Sequence, residues 1–349
     1  METRRSTAKA TARRHTSGLW QRPRRRAIKI MLLLAMATGG AVAPAAAEDA
    51  YPSEPIRFIV GFPPGAGTDS IARALSEGLS EVLKVPVPID YKPGASGTIA
   101  TTLGANAKPD GHTITLGTSA AMFTAPTLMG NLAYDLARDL RAVGLLGNFP
   151  NVYFVPSASP LKTIGDIVAA AKRNPGKLTY GSAGVGSTHH LASLLLEQQA
   201  GIEMIHVPYN ATGPVVTDLR EGRIDFTSWS PPTMAPLVSN GSLRAIASTG
   251  DERAYSFPDV PTVAEQGFPG YRVVNWYALL VPAKTPDAVV DRLNAALGIV
   301  LNRKDLQERL AQQTGFIAKT AKPAAAQAFL LEERARWTEV LTKAPVDRK

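Results

Sequence analysis

From Pro55 almost to the C-terminus, short apolar runs rich in β-branched residues alternate with longer amphipathic stretches. That alternation constrains the fold more than any other feature, because it is the pattern of strands in a largely parallel sheet covered by helices. Residues 56–62, 87–91 and 112–117 read as buried strands, and 69–83 and 98–107 as the helices between them. Gly147-Asn148-Phe149-Pro150 separates the apolar runs 140–146 and 152–155, and reads as a break where the chain leaves one sheet for another.

After that break the alternation starts afresh. The spacing predicts a helix over 163–173 ended by Pro175-Gly176, a strand over 178–181, and a helix over 189–199 closed by Gly201. Segments 205–207, 214–221, 224–227 and 243–248 continue the series. An apolar strand over 275–281 then leads to helices over 286–302, 304–313 and 323–341. The tail has no sheet of its own to cover, so its return to the first sheet is expected. This gives one lobe from 48–150 with 276–349, a second from 151–275, and two crossings near 148–152 and 275–278 that make a hinge.

Residues 1–47 stand apart and read as an export signal. Arg22, Arg24, Arg25, Arg26 and Lys29 precede an apolar stretch, 30–42, and Ala45-Ala46-Ala47 offers small residues for cleavage after about Ala47. The apolar stretch falls short of the roughly 20 residues needed to span a bilayer. Lys29 interrupts the resemblance to a twin-arginine signal, so ordinary Sec export to the periplasm is expected. This segment holds ten Lys plus Arg and one acid, leaving 38 − 10 = 28 bases against 29 − 1 = 28 acids. The mature chain is neutral, without the charge footprint of nucleic-acid binding, and any anion must be held locally. With no cysteine, disulfides and thiolate metal sites are excluded.

Two glycine-rich loops occupy equivalent places, one in each half. The first runs Phe62-Pro63-Pro64-Gly65-Ala66-Gly67-Thr68-Asp69 and the second Gly181-Ser182-Ala183-Gly184-Val185-Gly186-Ser187-Thr188. Each lies between a strand and a helix, whose first turn offers unpaired N–H groups and partial positive charge. Thr68, Ser182, Ser187 and Thr188 add hydroxyls that also serve as caps, and Asp69 is a further cap or loop orienter. Facing each other across a cleft, such loops suit a carboxylate, particularly a molecule with an acid at each end; alone, each is also an ordinary tight turn. Gly186→Val is expected to fill the second loop and abolish binding with the fold intact.

The chain also resembles the Bug-type periplasmic substrate-binding proteins of tripartite tricarboxylate transporters. The resemblance spans everything after the export signal. It rests on Tyr51-Pro52, Pro55-Ile56-Arg57, the loop from Phe62 to Asp69, Lys92-Pro93-Gly94-Ala95 and Pro109-Asp110-Gly111. It continues through Tyr180-Gly181-Ser182, His206-Val207-Pro208-Tyr209, Pro258-Asp259-Val260-Pro261-Thr262, and Trp276 before Val281-Pro282-Ala283. It implies an α/β, two-lobed periplasmic-binding-protein (Venus-flytrap, type II) fold, each lobe a mixed sheet flanked by helices. It further implies a monomer that binds a small carboxylate, often through bridging waters, and hands it to integral membrane permease subunits, without cofactor or metal. Gly65, Ala66, Gly67, Thr68 and Asp69 match its first gripping loop, and Ser182, Gly184, Gly186, Ser187 and Thr188 its second; Ser119, Ser230 and the aromatic walls Phe62, Trp229 and Trp276 complete the candidate site.

Two departures stand out. Ala66 replaces the middle of three glycines, narrowing the backbone. Trp229 stands where relatives that bind amino acids place an aspartate, which disfavours an ammonium-bearing ligand and favours an aromatic or otherwise partly apolar carboxylate, beside the dicarboxylate that the two loops suit. Trp229 as simple core is the alternative. His189-His190 does not make a metal pair, since neighbours on a helix point about 100° apart. An enzyme reading lacks its motifs: neither loop is a P-loop or GxGxxG fingerprint, and no G-x-S-x-G elbow surrounds a serine, so a hydrolase or nucleotide-binding enzyme is disfavoured. A ligand sensor for a signalling system stays open beside the transport reading.

Overall fold

A computed structural model describes residues 51–65, 67–130 and 132–343; the expected export signal at 1–47, and Ala66 in the first loop, lie outside the described residues. Residues 50–349 cluster as one unit. In chain order the strands are β1 (Arg57–Val60), β2 (Ile89–Tyr91), β3 (Thr113–Thr118), β4 (Leu140–Pro150), β5 (Val152–Pro156), β6 (Thr179–Ser182), β7 (Ile205–Pro208), β8 (Phe226–Trp229), β9 (Leu243–Ser248), β10 (Val274–Pro282) and β11 (Ile317–Ala318). The helices are α1 (Gly67–Leu83), α2 (Thr98–Ala105), α3 (Ala125–Met129), α4 (Leu136–Asp139), α5 (Ile164–Arg173), α6 (Thr188–Ala200), α7 (Thr212–Arg220), α8 (Pro231–Ser239), α9 (Asp287–Leu301), α10 (Lys304–Thr314) and α11 (Pro323–Lys343).

The strands form two mixed sheets, in the orders β11-β4-β10-β3-β1-β2 and β7-β6-β8-β5-β9. In the first, β1 runs parallel to β2 and β3, whereas β10 is antiparallel to β3 and β4. In the second, β6 runs parallel to β7 and β8, and β5 is antiparallel to β8 and β9. The carboxyl ends of β1, β3, β6 and β8 therefore open into helices, where ligands bind in open α/β sheets.

The local chemistry of the helices explains their limits. On α1, Ile71, Leu75 and Leu79 repeat at four-residue spacing and bury one stripe against the first sheet. Thr163 and Asp166 form a capping box at the start of α5. Ser187 caps α6, and Gly201, in the left-handed conformation, ends it. The prolines at the start of α8 occupy its first turn, where a missing N–H costs nothing.

The expected break at 147–150 is absent: β4 continues to Pro150. Its long antiparallel partner β10 holds it in register from Leu140 to Pro150. Irregularities beside Tyr277 and Leu279, together with Gly147 at φ +147°, absorb the bend. A Cβ at Gly147 would meet Ile317 O at 2.0 Å, so glycine there lets β11 close the sheet edge. The two sheets share an apolar cluster in which Phe123, Trp276 and Trp337 join Tyr153, Leu191 and Phe226.

Candidate functional site

The first loop leaves β1 and enters α1 around an aspartate. Asp69 accepts bonds from Gly65 N–H (2.8 Å), Arg73 Nε (3.0 Å) and Tyr91 Oη (2.5 Å). Burial by itself raises the Asp69 carboxyl, but the bonds from Tyr91, Gly65 and Arg73 outweigh it and hold the pKa below the ordinary value. Asp69 thus fixes the loop. Gly65 takes φ +83° with open space where a Cβ would stand. Thr68 is 8 % exposed, and its hydroxyl is buried without a hydrogen-bond partner, which costs roughly 1–3 kcal/mol unless water or a ligand satisfies it.

The second loop leaves β6 and enters α6, and two histidines brace it. Ser182 Oγ lies 2.6 Å from His206 Nε2 and accepts from Gly184 N–H at 3.0 Å. Gly186 N–H donates to His190 Nδ1 at 3.1 Å, placing the remaining proton of the neutral ring on Nε2. Burial holds His190 down to about 3, with the neighbouring His206 contributing, and His206 down to about 4. Ser187 donates to Gly184 O and caps the third N–H of α6, that of His190. The first two N–H groups, of Thr188 and His189, precede the first bond of the helical ladder and point out of the helix.

Thr188 is tied differently. Its hydroxyl donates to Asn275 Oδ1 (2.7 Å) and accepts from Asn151 Nδ2 (3.2 Å), while Asn275 Nδ2 donates to Asn151 Oδ1 (3.1 Å). Asn151 joins β4 of one sheet to β5 of the other, and Asn275 lies at the start of β10. Thr249, just beyond β9, exchanges bonds with Asn151 and Val273. The segments between the sheets are thereby stitched to one another and to the N-terminus of α6.

Both loops border the segment that follows β3. Phe62 and Ala121 both pack over Gly97, where a Cβ would stand 3.4 Å and 3.5 Å from them, and a Cβ at Gly186 would meet Thr124 at 2.4 Å and Leu128 at 2.7 Å. Ser119 begins that segment and is buried. At the end of β8, Trp229 stacks on His189 with ring centroids 4.3 Å apart. His189 is held down to about 4 by burial, and its Nδ1 has no partner. Trp229 is 5 % exposed and packs into the core of the second sheet, while Ser230 starts α8. Trp276, 1 % exposed, packs against Phe123 and Phe329, with its indole N–H buried and unpartnered.

Sequence reasoning weighed His190 only as a metal ligand and passed over the structural roles of His206, Asn151, Asn275, Tyr91 and Thr124. The block around His206 served only the family resemblance; the asparagines carry no local signal, since their partners lie 87 and 124 residues away. The cation nearest in sequence to the first loop, Arg73, is engaged by Asp69. Among the described residues no group of His, Asp and Glu is placed to hold a metal.

Residues 71–345 match the family described as the tripartite tricarboxylate transporter family receptor. A Pseudomonas sp. (strain P51) protein of the tcbD-tcbE intergenic region is 36 % identical over 296 residues, 84 % of this chain and 88 % of that one. BugT of Bordetella pertussis is 33 % identical over 307 residues, 88 % and 94 % of the two chains. Among solved structures, R. palustris Rpa4515 with adipate is similar at TM-score 0.71 and 31 % identity, covering 84 % of this chain and 97 % of that one. MatC from Rhodopseudomonas palustris with bound malate gives 0.69 and 31 %, covering 83 % and 100 %. The periplasmic binding protein BugD gives 0.68 and 32 %, covering 84 % and 98 %. Its two mixed sheets are those of the TctC-type periplasmic binding proteins, solute-binding receptors rather than enzymes, and the chain belongs to the tripartite tricarboxylate transporter receptor family.

Proposed function

We propose that the chain is exported to the periplasm, is cleaved after about Ala47, captures a small dicarboxylate or partly apolar carboxylate, and delivers it to the permease subunits of a tripartite transporter. One lobe comprises 48–150 with 276–349 and the other 151–275, closing about the strands that join them. The observation that carries this reading is the placement of two glycine loops, each at the carboxyl end of a parallel strand and the first turn of a helix, against one shared segment, 119–129.

Helix-end N–H groups neutralise an acid without a side-chain cation, and the buried Thr68 hydroxyl supplies an unused donor. Relatives with adipate and with malate support the choice of a small dicarboxylate. The Trp229–His189 stack puts apolar surface rather than a carboxylate at the end of β8, which disfavours a ligand ammonium. Ser187 and Thr188 hydroxyls are occupied within the protein, so the second loop contributes chiefly backbone donors. Calorimetric titration with adipate, malate and uncharged adipamide tests the reading: saturable binding of at least one acid with none of the diamide is expected, and equal binding of adipamide, or binding of neither acid, overturns it.

A further inference from the structure

We propose that the cavity behind the second glycine loop is a separate site for a small organic cation, an alkylammonium with an apolar body, whose occupancy is transmitted to that loop. The cavity has a volume of about 750 Å³, within the range of small-molecule sites. Leu194, Ile202 and Met204 give it an apolar wall, and Tyr180 and His206, stacked on each other with ring centroids 5.1 Å apart, line it beside them. Its charged lining groups are Glu197 and Glu203; no lysine or arginine lines it, which repels an anion.

Glu197 singles out the guest. Its carboxyl accepts a bond from Met204 N–H at 2.7 Å, and among the described residues no cation stands within salt-bridge distance of it. Burial pushes it up to about 7, as expected of an acid without a counter-charge. An ammonium supplies that charge, and an apolar body covers Leu194, Ile202 and Met204. A metal ion is disfavoured because His190 Nδ1 and His206 Nε2 are both committed to the loop.

The same two bonds provide the coupling. The imidazoles of His190 and His206 stack at 4.2 Å and form the cavity's wall on the loop side. A guest that shifts either ring shifts Gly186 N–H or Ser182 Oγ, and coupling between two sites is reciprocal. The coupling rests on the carboxylate-binding role proposed for that loop; the cation site does not.

Titration of the whole chain with cyclohexylammonium chloride, without any carboxylate, tests the site at about pH 8.5 and about pH 5.5. Because the ammonium must displace the Glu197 proton, affinity is expected to be about 30-fold tighter at the higher pH. Other facing groups do not supply that dependence. His190 and His206 titrate well below the range, burial raises Tyr180 and Tyr153, and on α11, reached through the Gln198 bond to Val340 O, Glu339 and Lys343 pair with each other. Glu203 is tested directly: its charge helps to raise Glu197, so E203Q is expected to keep the pH dependence with its midpoint moved to lower pH.

E197Q retains an acceptor for Met204 N–H, so the fold is preserved; it is expected to bind at least about tenfold more weakly, with no pH dependence. Absence of saturable binding, or wild-type affinity in E197Q, overturns the site. A saturating cation is expected to change adipate affinity in wild type and not in E197Q; unchanged adipate affinity, or cation binding by a chain that binds no adipate, overturns the coupling and leaves the site standing.

Discussion

Thr68 and Asp69 are neighbours with opposite duties. Removing the orphaned hydroxyl in Thr68→Val is expected to leave stability unchanged or raise it by about 1 kcal/mol, while carboxylate affinity falls about tenfold. Urea unfolding and calorimetry read the two effects separately, and unchanged affinity removes Thr68 from the site. Asp69→Asn weakens three bonds to a charged acceptor and is expected to cost about 2 kcal/mol in the same unfolding assay. The native carboxyl is depressed, so its contribution is complete above the unfolded carboxyl pKa and is lost as pH falls through and below it. The loops were legible as loops because glycine, proline and hydroxyl residues cluster there. What a given glycine faces was not. Gly186, at φ +77°, abuts Thr124 and Leu128, so Gly186→Val also displaces the segment after β3, and lost binding in that variant does not isolate the loop.

At the scale of elements, α6 carries three titratable groups perturbed by burial, His189, His190 and Glu197. His189 and His190 on α6 and His206 on β7 are all depressed by burial. The unfolded chain binds their protons first, so stability is full above about pH 6.5 and falls as pH drops toward the folded values. Glu197 opposes this, being raised to about 7, and removes stability as pH rises from its unfolded value toward 7. Three histidines outweigh one glutamate, so urea midpoints are expected to rise from about pH 4.5 to about pH 6.5, by roughly 1.4 kcal/mol per unit for each net proton. A flat or falling profile contradicts the buried neutral histidines. Periodicity located α1, α5 and α9 to within a few residues, because each buries a stripe of its own, and α6, buried all round from His190 to Leu196, was found by its apolar run and its closing Gly201. It lost α8, which holds Pro231, Pro232 and Pro236 and buries only Pro231 and Met234, and the short helices after β3, whose burial depends on Trp276 and α11 rather than on a repeating stripe.

At the scale of the whole molecule, two sheets follow from the sequence because the strand–helix alternation restarts after β4. The joint between them was less legible. Asn151, Thr188 and Asn275 meet across sequence distances that no local pattern encodes. Because Thr188 has one proton to donate and gives it to Asn275, the network ties the N-terminus of α6 to the joining strands. Asn275→Ala is expected to enlarge the radius of gyration of the ligand-free protein in small-angle scattering, with the adipate-saturated profile close to wild type; identical ligand-free profiles remove the network from the control of closure. The central claim is that opposed helix ends, not side-chain cations, hold the acid. A crystal structure of the chain with adipate tests it most directly. The account predicts carboxylate oxygens about 2.7–3.2 Å from backbone N–H groups of both glycine loops, with no lysine or arginine in contact; an acid group paired with a basic side chain, or seated away from both loops, contradicts it.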